Sequence, residues 1–310
     1  MFSVIFPGQG SQFVAMGKNL YDKYDFVKEL FSKADEILGY SISKIILDGP
    51  KDSLDLTENT QPAIFLVSYS IFEMVKRETG IDLNKAKYFA GHSLGEYSAL
   101  AASDSLNFDN GIKLLQARGK AMQNAVPKGQ GGMLAVIGSD IKNIKNILDN
   151  NKKKYECFIA NDNSNGQIVL SGNILDLELL VKDLNDSSIK NIILPVSAPF
   201  HCKLMRPATE IMKKEITQTN FTNPKNLIIS NVTAREVQDS NQIKDLLIKQ
   251  IESPVKWRES VLYMVQNGVK KFVEIGPGKV LSGLIKRIDR TLEFVSINEI
   301  EDLKKINFND

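Results

Sequence analysis

Short apolar runs alternate with longer amphipathic ones toward both ends of the chain. Ser3 to Phe6 reads as a buried strand, and the Pro-Gly-Gln-Gly-Ser run after it reads as a loop. Ala63 to Glu78 predicts a helix capped near Asn59 or Thr60. Lys87 to Ala90 predicts a strand, Glu96 to Ala102 a helix, and Phe108 to Ala125 a further helix. Lys271 to Ile275, Lys279 to Arg287 and Glu293 to Ile297 read as strand, helix and strand. Such alternation implies an α/β protein with a parallel sheet and helices on both faces.

The middle of the chain has another rhythm. Met133 to Gly138 is strand-like and Ile141 to Asp149 helical. Glu156 to Ala160 and Gln167 to Ser171 read as strands joined by a polar loop. Leu175 to Leu184 is helical and Asn191 to Val196 a strand. That order, β-α-β-β-α-β, is the ferredoxin-like motif. Loop signals bracket it, Pro127-Lys-Gly-Gln-Gly-Gly before and Ser197-Ala-Pro199 after. The expected organisation is a large discontinuous α/β domain, residues 1–125 and 198–310, carrying a small ferredoxin-like domain at 126–197.

Composition narrows the class. Hydrophobic residues are 43% and charged residues 25%, the balance of a soluble globular protein. A net charge of +2 gives no strong attraction to nucleic acid. Cys157 and Cys202 form no spacing motif, so neither a metal site nor a disulfide framework is implied. The start, Met1-Phe-Ser-Val-Ile-Phe, lacks the basic residues and long apolar run of a signal peptide. The most apolar segment, Ala63 to Val75, carries Ser68, Ser70 and Glu73 and is too short for a membrane span of roughly 20 residues. The expectation is a cytoplasmic protein without a membrane segment. A processed organellar protein would read the same.

Candidate chemistry centres on Gly91-His92-Ser93-Leu94-Gly95, between a predicted strand and a predicted helix. Gly-x-Ser-x-Gly in that setting is the nucleophile elbow, a tight turn that lifts the serine hydroxyl above the sheet. The competing reading is a serine in a glycine-rich bend. A nucleophilic serine needs a base, and the chain has two histidines. His92 adjoins Ser93, and successive side chains at a strand end point to opposite sides, so it reads as a packing residue under the turn. His201, in a loop returning from the small domain, is the favoured base. No acidic residue between them stands at the end of a main-sheet strand. The base is therefore expected to be oriented by a backbone carbonyl or an amide side chain.

The helix Phe108 to Ala125 carries the apolar stripe Leu114, Leu115, Ala121, Met122 and Ala125, and Arg118 falls on it. An inward arginine needs a partner. An internal acid and a substrate carboxylate stand as equal readings.

Six motifs then fall in order: Val4-Ile-Phe-Pro-Gly-Gln-Gly-Ser-Gln12, Gly91-His-Ser-Leu-Gly-Glu-Tyr-Ser-Ala99, Gln116-Ala-Arg-Gly119, Pro195-Val-Ser-Ala-Pro-Phe-His201, Ser253-Pro-Val-Lys-Trp257 and Glu274-Ile-Gly-Pro-Gly278. Together they resemble the malonyl-CoA:acyl carrier protein transacylase family of type II fatty acid synthesis. The resemblance spans essentially the whole chain and implies a hydrolase-like core with a ferredoxin-like insert. It implies ping-pong transfer of malonyl from coenzyme A to the phosphopantetheine thiol of acyl carrier protein, without a cofactor, through a malonyl ester on Ser93 with His201 as base. It implies Gln9 and Leu94 as backbone oxyanion donors, Arg118 as holder of the malonyl carboxylate, and Gln250 as the residue whose carbonyl orients the base. Pocket candidates are His92, Met122, Asn161 and Phe200. Phe200 and Leu94 match the malonyl-type choices of related acyltransferases. Lys256 stands where arginine is frequent in the family. Because carrier proteins are acidic, Lys190, Lys279, Lys286 and Arg287 are candidate docking charges. A monomer is expected. The rival readings are a serine esterase or thioesterase, for which a buried Arg118 has no use, and a non-catalytic scaffold.

Overall fold

The computed structural model describes residues 1–196 and 198–305, so the predicted loop residue Ser197 lies outside the described residues. Ten described strands form two sheets: β1 (Phe2–Phe6), β2 (Tyr88–Gly91), β3 (Gly131–Ile137), β4 (Cys157–Ser164), β5 (Gln167–Asn173), β6 (Lys190–Ile193), β7 (Leu227–Ile229), β8 (Glu236–Val237), β9 (Lys271–Ile275) and β10 (Glu293–Ile297).

The larger sheet runs β10-β9-β1-β2-β7-β8. Its first five strands are parallel, and β8 returns antiparallel to β7 at the edge. The connection between β7 and β8 is too short for the crossover that a parallel neighbour requires. Central β1 is apolar on both faces because helices cover both. Val4 and Phe6 pack with Phe72 and Phe89 on one side. Ile5 packs with Trp257, Val261 and Ile285 on the other.

The smaller sheet runs β4-β5-β3-β6 and is antiparallel throughout. In chain order its elements are β3, the helix Ile141–Asn150, β4, β5, the helix Ile174–Asp186 and β6. Leu134, Val136, Ile168 and Leu170 pack under those helices against Ile144, Leu177 and Leu180. Met133 and Val169 turn the other way, into the core cluster shared with the larger sheet.

Three predicted elements differ. The helix over 63–78 begins at Thr57, and Asn59 and Thr60 lie inside it rather than capping it. Their side chains donate to the carbonyls of Ser53 and Leu54 in the preceding segment. The last small-sheet strand stops at Ile193, two residues before Pro195, which has no N–H to offer a ladder. The polar run 161–164 is strand rather than loop, because β4 continues to Ser164 with Asn161, Asp162, Asn163 and Ser164 all buried. Asp162 and the backbone of the run find their partners across the seam with the larger sheet. The Asp162 carboxylate accepts from Arg258 Nε at 3.0 Å and Nη2 at 2.8 Å. The backbone of 160–162 pairs with Val255 through bonds of 2.8 and 3.0 Å.

Candidate active site

β2 ends at Gly91 and the helix Gly95–Ala102 follows, leaving a turn that holds Ser93 at φ 53°, in the left-handed region. The flanking glycines are required by contact. A Cβ on Gly91 would lie 2.0 Å from the Gly95 carbonyl carbon, and one on Gly95 would lie 2.3 Å from Phe6 O. Asn231, just beyond β7, clamps the turn from both ends. Its Oδ1 accepts from Ser93 N–H at 2.7 Å, and its Nδ2 donates to Gly91 O at 2.7 Å.

Ser93 Oγ lies 2.8 Å from His201 Nε2. His201 Nδ1 lies 2.9 Å from the Gln250 carbonyl. A carbonyl can only accept, so Nδ1 carries the hydrogen and Nε2 presents its lone pair to the serine. Burial, with the Arg118 charge adding to it, lowers the His201 pKa to about 3, which keeps the imidazole neutral at pH 7.

Arg118 is 1% exposed and faces inward from the helix Phe108–Asn124. Nη1 donates to Gln61 Oε1 at 2.7 Å, and Nη2 donates to Gln250 Oε1 at 2.8 Å and to Ser93 Oγ at 3.1 Å. Nε has no partner among the described residues. All three acceptors are uncharged, so the salt-bridge reading of this arginine is not what the structure holds. Gln250, at the end of the helix Ser240–Gln250, is the hub. Besides its contacts to His201 and Arg118, its Nε2 donates to Glu96 Oε2 at 2.8 Å and Ser93 O at 3.1 Å. Glu96 is buried, and burial raises its carboxyl to about 7.

A cavity of about 300 Å³ opens in front of this group, between the two sheets. Gln9, Leu94, His92, Met122, Asn161 and Phe200 all line it. The backbone N–H groups of Gln9 and Leu94 have no protein acceptor among the described residues. His92 turns away from Ser93 Oγ: its Nε2 lies 2.8 Å from Asn163 Oδ1, and its ring packs on Trp257. Lys279, Lys286 and Arg287 are exposed around the helix Val280–Ile288, whose Val280, Leu281 and Leu284 line the cavity. Lys190 is exposed at the start of β6. Sequence reasoning missed Asn231, Gln61 and Asn163, which stand in no motif. It also missed Glu96, which stood in a quoted motif without a role.

A hydroxyl lifted from a strained strand-to-helix turn, bonded to a neutral imidazole and facing a cavity, defines an enzyme of the serine acyl-transfer class. Comparison with known proteins narrows it. The model of the acyl transferase domain matches residues 3–302. The malonyl CoA-acyl carrier protein transacylase of Bacillus subtilis is 40% identical over 97% of this chain and 94% of its own length. That of Escherichia coli K12 is 37% identical over 96% of each chain. Among solved structures, the acyl-carrier-protein S-malonyltransferase of Bartonella henselae superposes with a TM-score of 0.95 at 39% identity, over 98% of this chain and 97% of that one. A malonyl-transacylase solved in complex with a type II polyketide synthase acyl carrier protein matches with a TM-score of 0.95 at 34% identity, over 100% of this chain and 99% of that one. The chain belongs to the acyl transferase domain family and, within it, to the malonyl CoA-acyl carrier protein transacylases.

Proposed function

We propose that this enzyme moves a malonyl group from coenzyme A to the phosphopantetheine thiol of an acyl carrier protein, through an ester on Ser93. The observation that carries this reading is Arg118. It is a buried guanidinium 3.1 Å from the nucleophile with only uncharged acceptors, a site complementary to an acyl group that ends in a carboxylate.

Ser93 Oγ attacks the thioester carbonyl as His201 Nε2 takes its proton. The oxyanion is received by the N–H groups of Gln9 and Leu94. The Gln250 carbonyl stabilises the imidazolium in place of a carboxylate. Collapse expels the coenzyme A thiolate, which takes the proton from His201. The carrier thiol then gives its proton to His201 and attacks the malonyl-serine ester, and collapse returns the proton to Ser93. Arg118 holds the malonyl carboxylate throughout, and Phe200 narrows the cavity against an α-methyl group. Every proton is moved by groups of this chain and its two thiol substrates, and the reading calls for no cofactor.

We assign the larger sheet to a hydrolase-like core of residues 1–125 and 198–310, and the β-α-β-β-α-β segment to a ferredoxin-like unit at 126–197. An acidic carrier would meet Lys279, Lys286 and Arg287 beside the cavity mouth, with Lys190 further out. The enzyme would act as a cytoplasmic monomer; among the described residues no helix is long and apolar enough to cross a membrane. The test is sequential labelling. Incubation with malonyl-CoA adds the mass of one malonyl group to Ser93, and added holo-carrier protein removes it. Release of free malonate without transfer would instead identify a thioesterase.

A further inference from the structure

We propose that Glu96 is the counter-charge of Arg118, joined to it through the Gln250 side chain, and that it weakens the hold of the cavity on a carboxylate-bearing acyl group. The proposal rests on the reading of Arg118 as the carboxylate holder.

Arg118 and Glu96 are both buried, at 1% and 2% exposure. One amide lies between them. Gln250 turns Nε2 to Glu96 Oε2 at 2.8 Å and Oε1 to Arg118 Nη2 at 2.8 Å, so its dipole is aligned with the field of both charges. A second donor, Asn231 N–H at 3.1 Å, fixes the same carboxylate oxygen. Both charges are buried, and each compensates the other in a medium of low dielectric. A malonyl carboxylate arriving on Arg118 is therefore a second anion sharing one cation. Glu96 opposes its binding and, in the same measure, eases its departure to the carrier.

The Glu96→Gln variant isolates the charge. A glutamine oxygen can still accept from both Asn231 N–H and Gln250 Nε2, so the bonds persist while the anion goes. The readout is kcat/KM for Ser93 acylation by malonyl-CoA and by acetyl-CoA at pH 8, which differ only in the carboxylate. We expect Glu96→Gln to raise the malonyl value about three- to tenfold and to leave the acetyl value within about twofold. A purely structural role would move both together. In the Arg118→Ala background the Glu96→Gln effect should vanish, because it acts through Arg118.

If Glu96→Gln does not fold, the wild-type enzyme decides the matter alone. Glu96 titrates at about 7. Arg118 is the charged group facing it among the described residues, Gln250 and Asn231 carry no charge, and Tyr97 on its own helix is raised to about 12. Lowering pH from 8 to 6 should therefore raise the malonyl-to-acetyl ratio, in which titration of coenzyme A cancels. A malonyl value unchanged or reduced in Glu96→Gln, an equal shift on both substrates, or a flat ratio would overturn the proposal. If instead Arg118→Ala keeps its malonyl preference, the reading of Arg118 itself fails.

Discussion

Ser93 is held in the left-handed region at φ 53°, and that strain can be measured separately from the chemistry. The perturbation is a pair of variants, Ser93→Ala and Ser93→Gly. Both lose the hydroxyl and its bonds to His201 and Arg118, so those losses cancel in the comparison. What differs is the backbone. A non-glycine residue in this region costs roughly 1–2 kcal/mol. Glycine avoids that but gives up roughly 0.5–1 kcal/mol of extra chain entropy on folding. The balance makes Ser93→Gly the more stable variant by about 0.5–1 kcal/mol, a shift of about 1–1.5 °C in Tm for a chain of this size. At an unstrained position the order is the reverse. Urea denaturation and calorimetry of the two proteins side by side give the difference, and mass spectrometry should find neither forming a malonyl ester. A Ser93→Gly variant no more stable than Ser93→Ala would refute the strain. It would also refute the idea that Asn231 holds the turn against its own preference.

Three further outcomes are expected. Arg118→Ala should lose on the order of 10²- to 10³-fold in malonyl transfer while relatively gaining on acetyl-CoA; an unchanged acyl preference would refute the carboxylate contact. Because burial lowers His201 to about 3, its imidazole stays neutral as pH falls, so acylation by acetyl-CoA should hold its rate from pH 8 to 5. A decline centred near the ordinary histidine value of about 6.5 would contradict this. Arg258→Met leaves the Asp162 carboxylate buried without its partner and should cost about 3–5 kcal/mol, with much of that recovered in Arg258→Met/Asp162→Leu. Additive losses in a denaturation cycle would show that the pair does not hold the seam between the sheets.

The parts of this molecule legible in the sequence are those whose signal is local. The alternation of apolar runs predicts eight of the ten described strands to within a few residues, missing the short β7 and β8, and Gly-x-Ser-x-Gly predicts a turn that contact distances require. The illegible parts are those satisfied by residues far along the chain. Asn231 lies 138 residues from the Ser93 N–H it accepts, and no spacing rule links the two. The run Asn161-Asp-Asn-Ser164 reads as a loop because polarity without visible partners looks solvated. Its partners, Arg258 and the backbone of Val255, belong to the helix Trp257–Gln266 and the segment before it, which pack on the other sheet.

Arg118 and Glu96 show where the boundary falls. Both are charged groups in the protein interior, yet only the arginine was conspicuous. Its helix is amphipathic, so a charge on the apolar stripe contradicts its surroundings. The helix Gly95–Ala102 has no such contrast: all eight of its residues are buried. With no solvent face there is no stripe to violate, and a glutamate there looks like any helix former. A buried charge is therefore visible in sequence only when the element around it has a polar side to measure it against. Where that side is missing, the charge emerges only from its bonds, and here those bonds lead through Gln250 to the arginine beside the nucleophile.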